Sequence, residues 1–374
     1  MDSEYKWMIL VFLIIILVCL LIGLGMRRCG REGFGDRGKY ELGGEVAKSA
    51  IGLKADENVL KRAVNPNVNH MIATKMFDSI TGQDELLKRT DDFHRAFERN
   101  REERMGVLKR LYSELGSPRE VTILYYCKNF FVFFDNWVRS CERAGIETKK
   151  NTICFALDKE AYDNTVDMGY KCYLIDPLKY EEGGGSNNFG DRNYAATMFY
   201  KNAIIYDMLQ TIPQGNFLLF QDSDLIWFKD PFMYLRKEEG EYDIQMMYDG
   251  GNTNCKYLYA NTGFIYIKNN ERTRSLFETA LNNSAYIFKI RGHQVIFDQI
   301  LHHFVMHNVL SLRILPETEI VNGHLVTKEG VVNSRLGKDW MSTAVCFHYS
   351  WTGDKKEKFK KLAKLNLNFV DSTK

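Results

Sequence analysis

Two carboxylates, Asp222 and Asp224, flank Ser223 directly after the apolar run NFLLF at 216–220. In extended chain, residues i and i+2 face one side, so the two carboxylates converge and Ser223 faces away. Converging carboxylates repel, and such a pair is normally held by a shared cation or a shared proton. Oxygen ligands suit Mg2+ or Mn2+, ions usually held by one or two carboxylates together with substrate phosphates. A diphosphate leaving group is the substrate piece this chemistry implies, with the ion neutralising the charge that develops on it. Two other readings fit the triplet alone: a surface turn, and a haloacid-dehalogenase-type phosphatase. The phosphatase motif wants Thr or Val where Ile226 stands, and it sits on the first strand of its domain, whereas about three strand-helix units precede this one.

The elements before the triplet have a regular order. VTILYYC (121–127), TICFAL (152–157) and KCYLID (171–176) read as strands. FVFFDNWVRSCERAG (131–145) and KEAYDNTVDMG (159–169) read as the helices between them, and YAATMFYKNAIIYDMLQTI (194–212) as a longer one. Alternation of this kind predicts βαβ units around a mostly parallel sheet. Ligands bind beyond the carboxyl ends of the strands in such a sheet, which is where the triplet stands. The stretch at 181–193 is a Gly-rich loop without the Gly-Lys-Ser/Thr of a phosphate-cradling loop.

Several segments, in order, carry a resemblance. They are Asn136-Trp137, Ala156-Leu157-Asp158, Tyr200-Lys201, LLFQDSDLIWFKDPF, Asn261-Thr262-Gly263-Phe264-Ile265-Tyr266, Asp298-Gln299, Val321-Asn322-Gly323, and His348-Tyr349-Ser350-Trp351 followed by Lys355-Lys356. From about Val121 to Lys361 the sequence resembles the nucleotide-diphospho-sugar transferase family that includes plant xylosyl- and arabinosyltransferases. The resemblance implies an α/β GT-A glycosyltransferase fold: a Rossmann-like domain, with a mixed, mostly parallel sheet, that binds a nucleotide-sugar, UDP-sugar foremost, and a divalent metal. It implies His348 as a metal ligand beside Asp222 and Asp224, and an imidazole ligand is compatible with Mn2+. It further implies Lys201, Lys355 and Lys356 as contacts to the donor and its diphosphate. The implied reaction is a retaining sugar transfer to a hydroxyl acceptor on a glycan or glycoprotein.

Asn261 and Gly263 interrupt the apolar strand YLYANTGFIYIKN. Gly in a strand allows a ligand close approach, and the Asn amide can donate to sugar hydroxyls; a simple strand bulge is the competing reading. Asp298 and Gln299 lie in the helical segment QVIFDQILHHF. Gln299 suits sugar hydroxyls, and Asp298 is the candidate carboxylate near the anomeric centre. A non-catalytic sugar-binding scaffold of the same fold is the rival from another class. The joint presence of Asp222, Asp224, Lys201 and His348 speaks against it, because a binder need not hold a metal. Gln221 before the triplet and the Gly-rich insertion at 183–186 depart from the family pattern without removing a candidate ligand.

The remainder of the chain frames this domain. Its 374 residues are 45% hydrophobic and 26% charged, with 13% aromatics and 6 prolines, a globular composition. A net charge of +2 offers nothing to nucleic acid. Trp7–Met26 is a charge-free apolar run, long enough for a transmembrane anchor and longer than a signal-peptide core. The expected organisation is a tail at 1–6, an anchor in the lipid bilayer at 7–26, a stem at 27–116 and the catalytic domain at 117–374. An anchored glycosyltransferase belongs in Golgi or ER membranes. Arg27, Arg28 and Arg31 after the run nevertheless favour a cytosolic C-terminal domain. The segment 83–115 has helical apolar spacing, fitting a helix packed on the domain or a stalk joining a homo-oligomer. The eight cysteines contain no C-x-x-C pair, so a structural zinc site is not expected.

Overall fold

The computed structural model describes residues 83–175, 192–238, 240–250, 260–290, 293–326, 332–350 and 355–370. The apolar run at 7–26, the spacer up to 82 and the Gly-rich insertion at 183–186 lie outside the described residues. Among the described residues, no helix is long and apolar enough to cross a membrane.

The first elements among the described residues are α1 (Gln83–Arg99) and α2 (Arg101–Glu114). Then come β1 (Glu120–Tyr126), α3 (Lys128–Arg143), β2 (Thr152–Ala156), α4 (Lys159–Asp167), β3 (Lys171–Leu174), α5 (Arg192–Thr211) and β4 (Phe217–Gln221). The second half holds β5 (Leu225–Trp227), α6 (Pro231–Leu235), β6 (Ile244–Tyr248), β7 (Ala260–Lys268), α7 (Glu271–Asn282), α8 (Ser284–Ile290) and α9 (Gln294–Met306). It closes with β8 (Leu312–Leu315), β9 (Ile320–Asn322), α10 (Trp340–Thr343), β10 (Cys346–His348) and α11 (Lys355–Lys364).

Seven strands form one sheet in the order β3-β2-β1-β4-β7-β6-β8. The strands β3, β2, β1 and β4 are mutually parallel, and β8 is parallel to β6. Only β7 is reversed, pairing antiparallel with β4 and β6. The expected α/β arrangement with a mixed, mostly parallel sheet is therefore present. Both faces of this sheet are covered. Along β1, Ile123 and Tyr125 pack into a core with Phe199 and Met208 of α5, while Leu124 and Tyr126 pack with Phe134 and Trp137 of α3. Burial on both faces is why the strand reads as one continuous apolar run. Local signals set the ends of α4. Asp158 caps it by accepting from the Ala161 N–H at 2.8 Å, and Gly169 at φ +82 terminates it.

The segment 83–115 is split at Asn100 into α1 and α2, and both helices pack on the domain. Phe93, Phe97, Leu108 and Leu111 join the same core as Phe199 and Tyr200 of α5. Arg104, which breaks the apolar spacing, is buried: its Nε donates to Asp207 Oδ2 at 2.6 Å and its Nη1 to the Phe97 carbonyl at 2.8 Å. Phe93, Phe97, Leu108 and Leu111 thus face the domain, as expected of a helix packed on it.

Three further strands form a small sheet, β5-β10-β9, in which β10 is antiparallel to β5 and parallel to β9. Its own core includes Ile226, Val321, Phe347 and Leu362, beneath α11.

Candidate active site

The two sheets meet at the triplet. At the end of β4 the Asp222 N–H donates to the Gly263 carbonyl on β7 at 2.9 Å, extending the ladder by one pair. The chain then turns through Ser223 and enters β5. There His348 of β10 stands opposite Leu225, and the Tyr349 N–H donates to the Asp224 carbonyl at 3.2 Å. The large sheet thus fixes Asp222, the small sheet fixes His348, and Asp224 lies between. His348 Nε2 is 3.3 Å from Asp224 Oδ1 and 3.7 Å from Asp222 Oδ2. One ligand atom from each of the three residues lies within 4.8 Å of the others.

This donor set fits a divalent cation. An octahedral ion with ligands at about 2.1 Å has adjacent ligand atoms roughly 3 Å apart and opposite ones roughly 4.2 Å apart. Two carboxylates and one imidazole suit Mn2+, and two carboxylates alone suffice for Mg2+. Asp224 is buried, while the Asp222 side chain is 30% exposed and leaves one side open for a substrate.

Each carboxylate also has its own ammonium. Lys201 Nζ on α5 is 2.8 Å from Asp222 Oδ1, and Lys358 Nζ on α11 contacts Asp224 Oδ2. Burial pushes the Asp224 carboxyl up, but Lys358 and His348 outweigh it and hold the group well below the usual carboxylate range. Lys201 is itself buried, with Nζ 4.8 Å from the centre of the Phe220 ring, and Asp222 is the ion-pair partner it has there.

Gly263 is required by space. A Cβ there would lie 2.3 Å from His348 Cε1 and 2.7 Å from Asp222 Oδ2. The register of β6 against β7 shifts between Met246 and Met247, so the bulge and the close approach are one feature. The bulge also turns Asn261 toward Asp249, at the end of β6. Asn261 Nδ2 donates to Asp249 Oδ1 at 2.5 Å, and Asn261 Oδ1 accepts from the Gly263 N–H at 2.7 Å. Thr262 Oγ1 donates to Gln294 Oε1 at 3.3 Å. Burial raises the Asp249 carboxyl, opposed by hydrogen bonds from Asn261 and Gln294.

The structure therefore brings Asp222, Asp224, His348, Lys201, Asn261 and Gly263 together. Four other expected residues are placed differently. Asp298 is buried with no hydrogen-bond partner for either oxygen, and only the Ala260 backbone favours its charged form. Burial, then the nearby Asp249, raise this carboxyl well above the ordinary carboxylate range. Gln299 is exposed, one helix position beyond the buried Asp298. Lys355 and Lys356 are exposed in the first turn of α11, and their neighbour Lys358 is the lysine that reaches the centre.

Three residues of the cluster escaped the sequence reading: Asp249, Gln294 and Lys358. Asp249 carries the same signal as the triplet, a carboxylate at the end of the apolar strand IQMMY. Gln294 opens α9, but nothing in its neighbours distinguishes it. Lys358 lies in a run of lysines whose helical phase is set only by Phe359 and Leu362.

The family model of the nucleotide-diphospho-sugar transferases matches residues 148–362, more than half of the chain. An uncharacterized protein of Arabidopsis thaliana, At1g28695, is 27% identical over 123 residues, 33% of this chain and 35% of that protein. The chain thus spans about a third of the length of that relative. Among solved structures, the galactosyltransferase LgtC in complex with donor and acceptor sugar analogs has a TM-score of 0.41 and 15% identity, covering 68% of this chain and 98% of that one. The glycosyltransferase GlyE of Streptococcus pneumoniae has a TM-score of 0.41 and 12% identity, covering 67% of this chain and 61% of that one. Mouse xyloside xylosyltransferase 1 has a TM-score of 0.37 and 14% identity, covering 63% of this chain and 99% of that one. The family match replaces the phosphatase reading: the chain belongs to the nucleotide-diphospho-sugar transferase family.

Proposed function

We propose a metal-dependent, retaining transfer of a sugar from a UDP-sugar to a hydroxyl of a glycan or glycoprotein, on a GT-A domain. The observation that carries the metal requirement is the convergence of Asp222, Asp224 and His348 within 4.8 Å from two different sheets. In this reading the three side chains hold Mn2+ or Mg2+, and the ion, when bound, offsets the charge that develops on the leaving diphosphate. Lys201 fixes the orientation of Asp222 and balances its charge. Asn261, held by Asp249 and the Gly263 N–H, presents a rigid polar edge to the transferred sugar. Asp298, close enough to Asp249 to feel its charge, is the candidate carboxylate near the anomeric centre, and the acceptor hydroxyl attacks from the face the diphosphate leaves. The resemblance to plant xylosyl- and arabinosyltransferases supports retention.

The test is release of UDP from UDP-sugars with and without Mn2+. Asp222→Ala and Asp224→Ala are each expected to lose activity by about a thousandfold, since several kcal/mol of charge stabilisation go with the ion. Full activity in either variant would sink the metal site. An NMR assignment of the product's anomeric configuration tests retention.

We further place the domain beyond a membrane anchor at 7–26, in Golgi or ER membranes. Asn282, which opens the sequon Asn282-Asn283-Ser284, is exposed at the end of α7. Glycosidase-sensitive glycan on Asn282 is expected for a lumenal domain, and its absence together with protease access in sealed vesicles marks a cytosolic one.

A further inference from the structure

The two lysines at the centre are held in different ways. Lys201 comes from the middle of the twenty-residue helix α5 and its side chain is only 3% exposed. Lys358 comes from the ten-residue helix α11, and its side chain is 18% exposed. The backbone of α11 is well anchored: Phe359 stacks on Phe133 at 4.6 Å and 12°, and Leu362 is buried in the core of the small sheet. Four rotatable side-chain bonds therefore separate a fixed helix from a mobile ammonium. That ammonium occupies one oxygen of Asp224, while His348 faces the other.

Charge makes this arrangement incompatible with a bound dication. Two carboxylates and two ammoniums already balance. A divalent cation on Asp224 would stand within a few ångström of the Lys358 ammonium, in a poorly screened pocket. Moving Lys201 instead would strand a buried charge, whereas Lys358 has solvent beside it.

We propose that Lys358 is the resident counter-ion of Asp224, displaced when a divalent cation binds and then re-used as a contact for the diphosphate that enters with the sugar. This rests on the metal-dependent reading above. It converts one residue into a competitor for the first ligand and a partner for the second. Cation binding is held weak until the diphosphate arrives to receive the freed ammonium. The two ligands accordingly bind with positive coupling, and each raises the affinity for the other by the same factor.

The test uses the full-length chain and two measurements: Mn2+ binding alone, followed by the EPR signal of free ion, and UDP binding at saturating Mn2+, followed by calorimetry. Lys358→Met is expected to bind Mn2+ at least about tenfold more tightly, and UDP at least about tenfold more weakly, two effects of opposite sign that general destabilisation does not produce. Lys358→Arg keeps the charge and is expected to track the wild type for Mn2+. Lys360→Met, an exposed neighbour on the same helix, is expected to change neither constant. If the wild type binds Mn2+, Asp222→Ala abolishes that binding and Lys358→Met leaves it unchanged or weaker, the counter-ion role is overturned while the metal site stands. If the wild type binds no Mn2+ with or without UDP, the metal site and this proposal fall together.

Discussion

Helix α5 contributes to two buried charge clusters that solve the burial problem differently. At Asp207 it meets Arg104, and the pair is sealed, with side-chain exposures of 1% and 7%. The guanidinium lies 3.6 Å over the Phe97 ring and donates to the Phe97 carbonyl. At Lys201, earlier along its length, the same helix meets two carboxylates, an imidazole and a second ammonium, with Asp222 open to solvent. The first cluster has one partner for each charge and no way in. The second has more ligand atoms than fixed partners and an open side. Buried charge by itself marks neither structure nor function; surplus ligands beside an opening do.

The sharpest way to break this contrast is to remove one member of each cluster. Arg104→Ala is expected to cost about 3–5 kcal/mol of stability, because it leaves Asp207 buried without its partner. Its activity per folded molecule is expected to remain that of the wild type. Asp224→Ala is expected to do the reverse, losing activity while melting near the wild-type temperature, because its partner Lys358 has solvent beside it whereas the partner of Asp222, Lys201, is buried. Thermal melts paired with initial rates check both, and an Arg104→Ala protein that melts normally would remove the structural half of the contrast. Replacing both members of the sealed pair by apolar side chains, in the double variant R104M/D207L, is expected to restore most of the stability.

Next in size is Gly263→Ala. The added methyl would collide with the His348 ring and the Asp222 carboxylate. About a hundredfold loss of turnover is expected from ångström-scale misplacement, together with weaker Mn2+ binding and a melt lowered by the about 1–3 kcal/mol that overpacking costs. Rates and ion titration on one preparation check it.

The smallest effect concerns Asp298. Its folded pKa is raised, so the folded chain retains a proton that the unfolded chain releases above about pH 3.9. Stability must therefore fall as pH rises from that value toward the folded pKa. Asp298→Asn lacks this slope, so its melting temperature relative to wild type is expected to improve between about pH 5 and pH 8. A constant difference across that range would show that Asp298 is ionised in the fold.

Much of this arrangement was legible in the sequence. The end of β4 announced Asp222 and Asp224, because two carboxylates after a fully apolar strand have little structural excuse, whereas His348 was legible only through the family resemblance. The alternation up to β4 gave the parallel half of the sheet. The reversal of β7 was not legible: a strand buried on both faces carries the same apolar run in either direction. The destination of α1 and α2 was also hidden, since periodicity reveals an apolar stripe but not the surface that covers it. Lys358 was hidden by its own neighbours, a lysine tract in which every position looks equally charged.

The division of the proposed metal ligands between two sheets has a thermodynamic corollary. Asp222 belongs to the end of the large sheet, whereas His348 arrives 126 residues later on a strand of the small one. A cation held by both would act as a removable cross-link between two sheets already joined by the turn through Ser223, by the link 316–319 from β8 to β9, and by hydrogen bonds such as Trp227 Nε1 to Gln221 Oε1 at 2.8 Å. Ion present at a hundred times its dissociation constant adds about 2.7 kcal/mol to the folded state. That gain is felt at the junction of the two sheets, so chelation should loosen β10 and α11 against proteolysis before it disturbs β1 or β4.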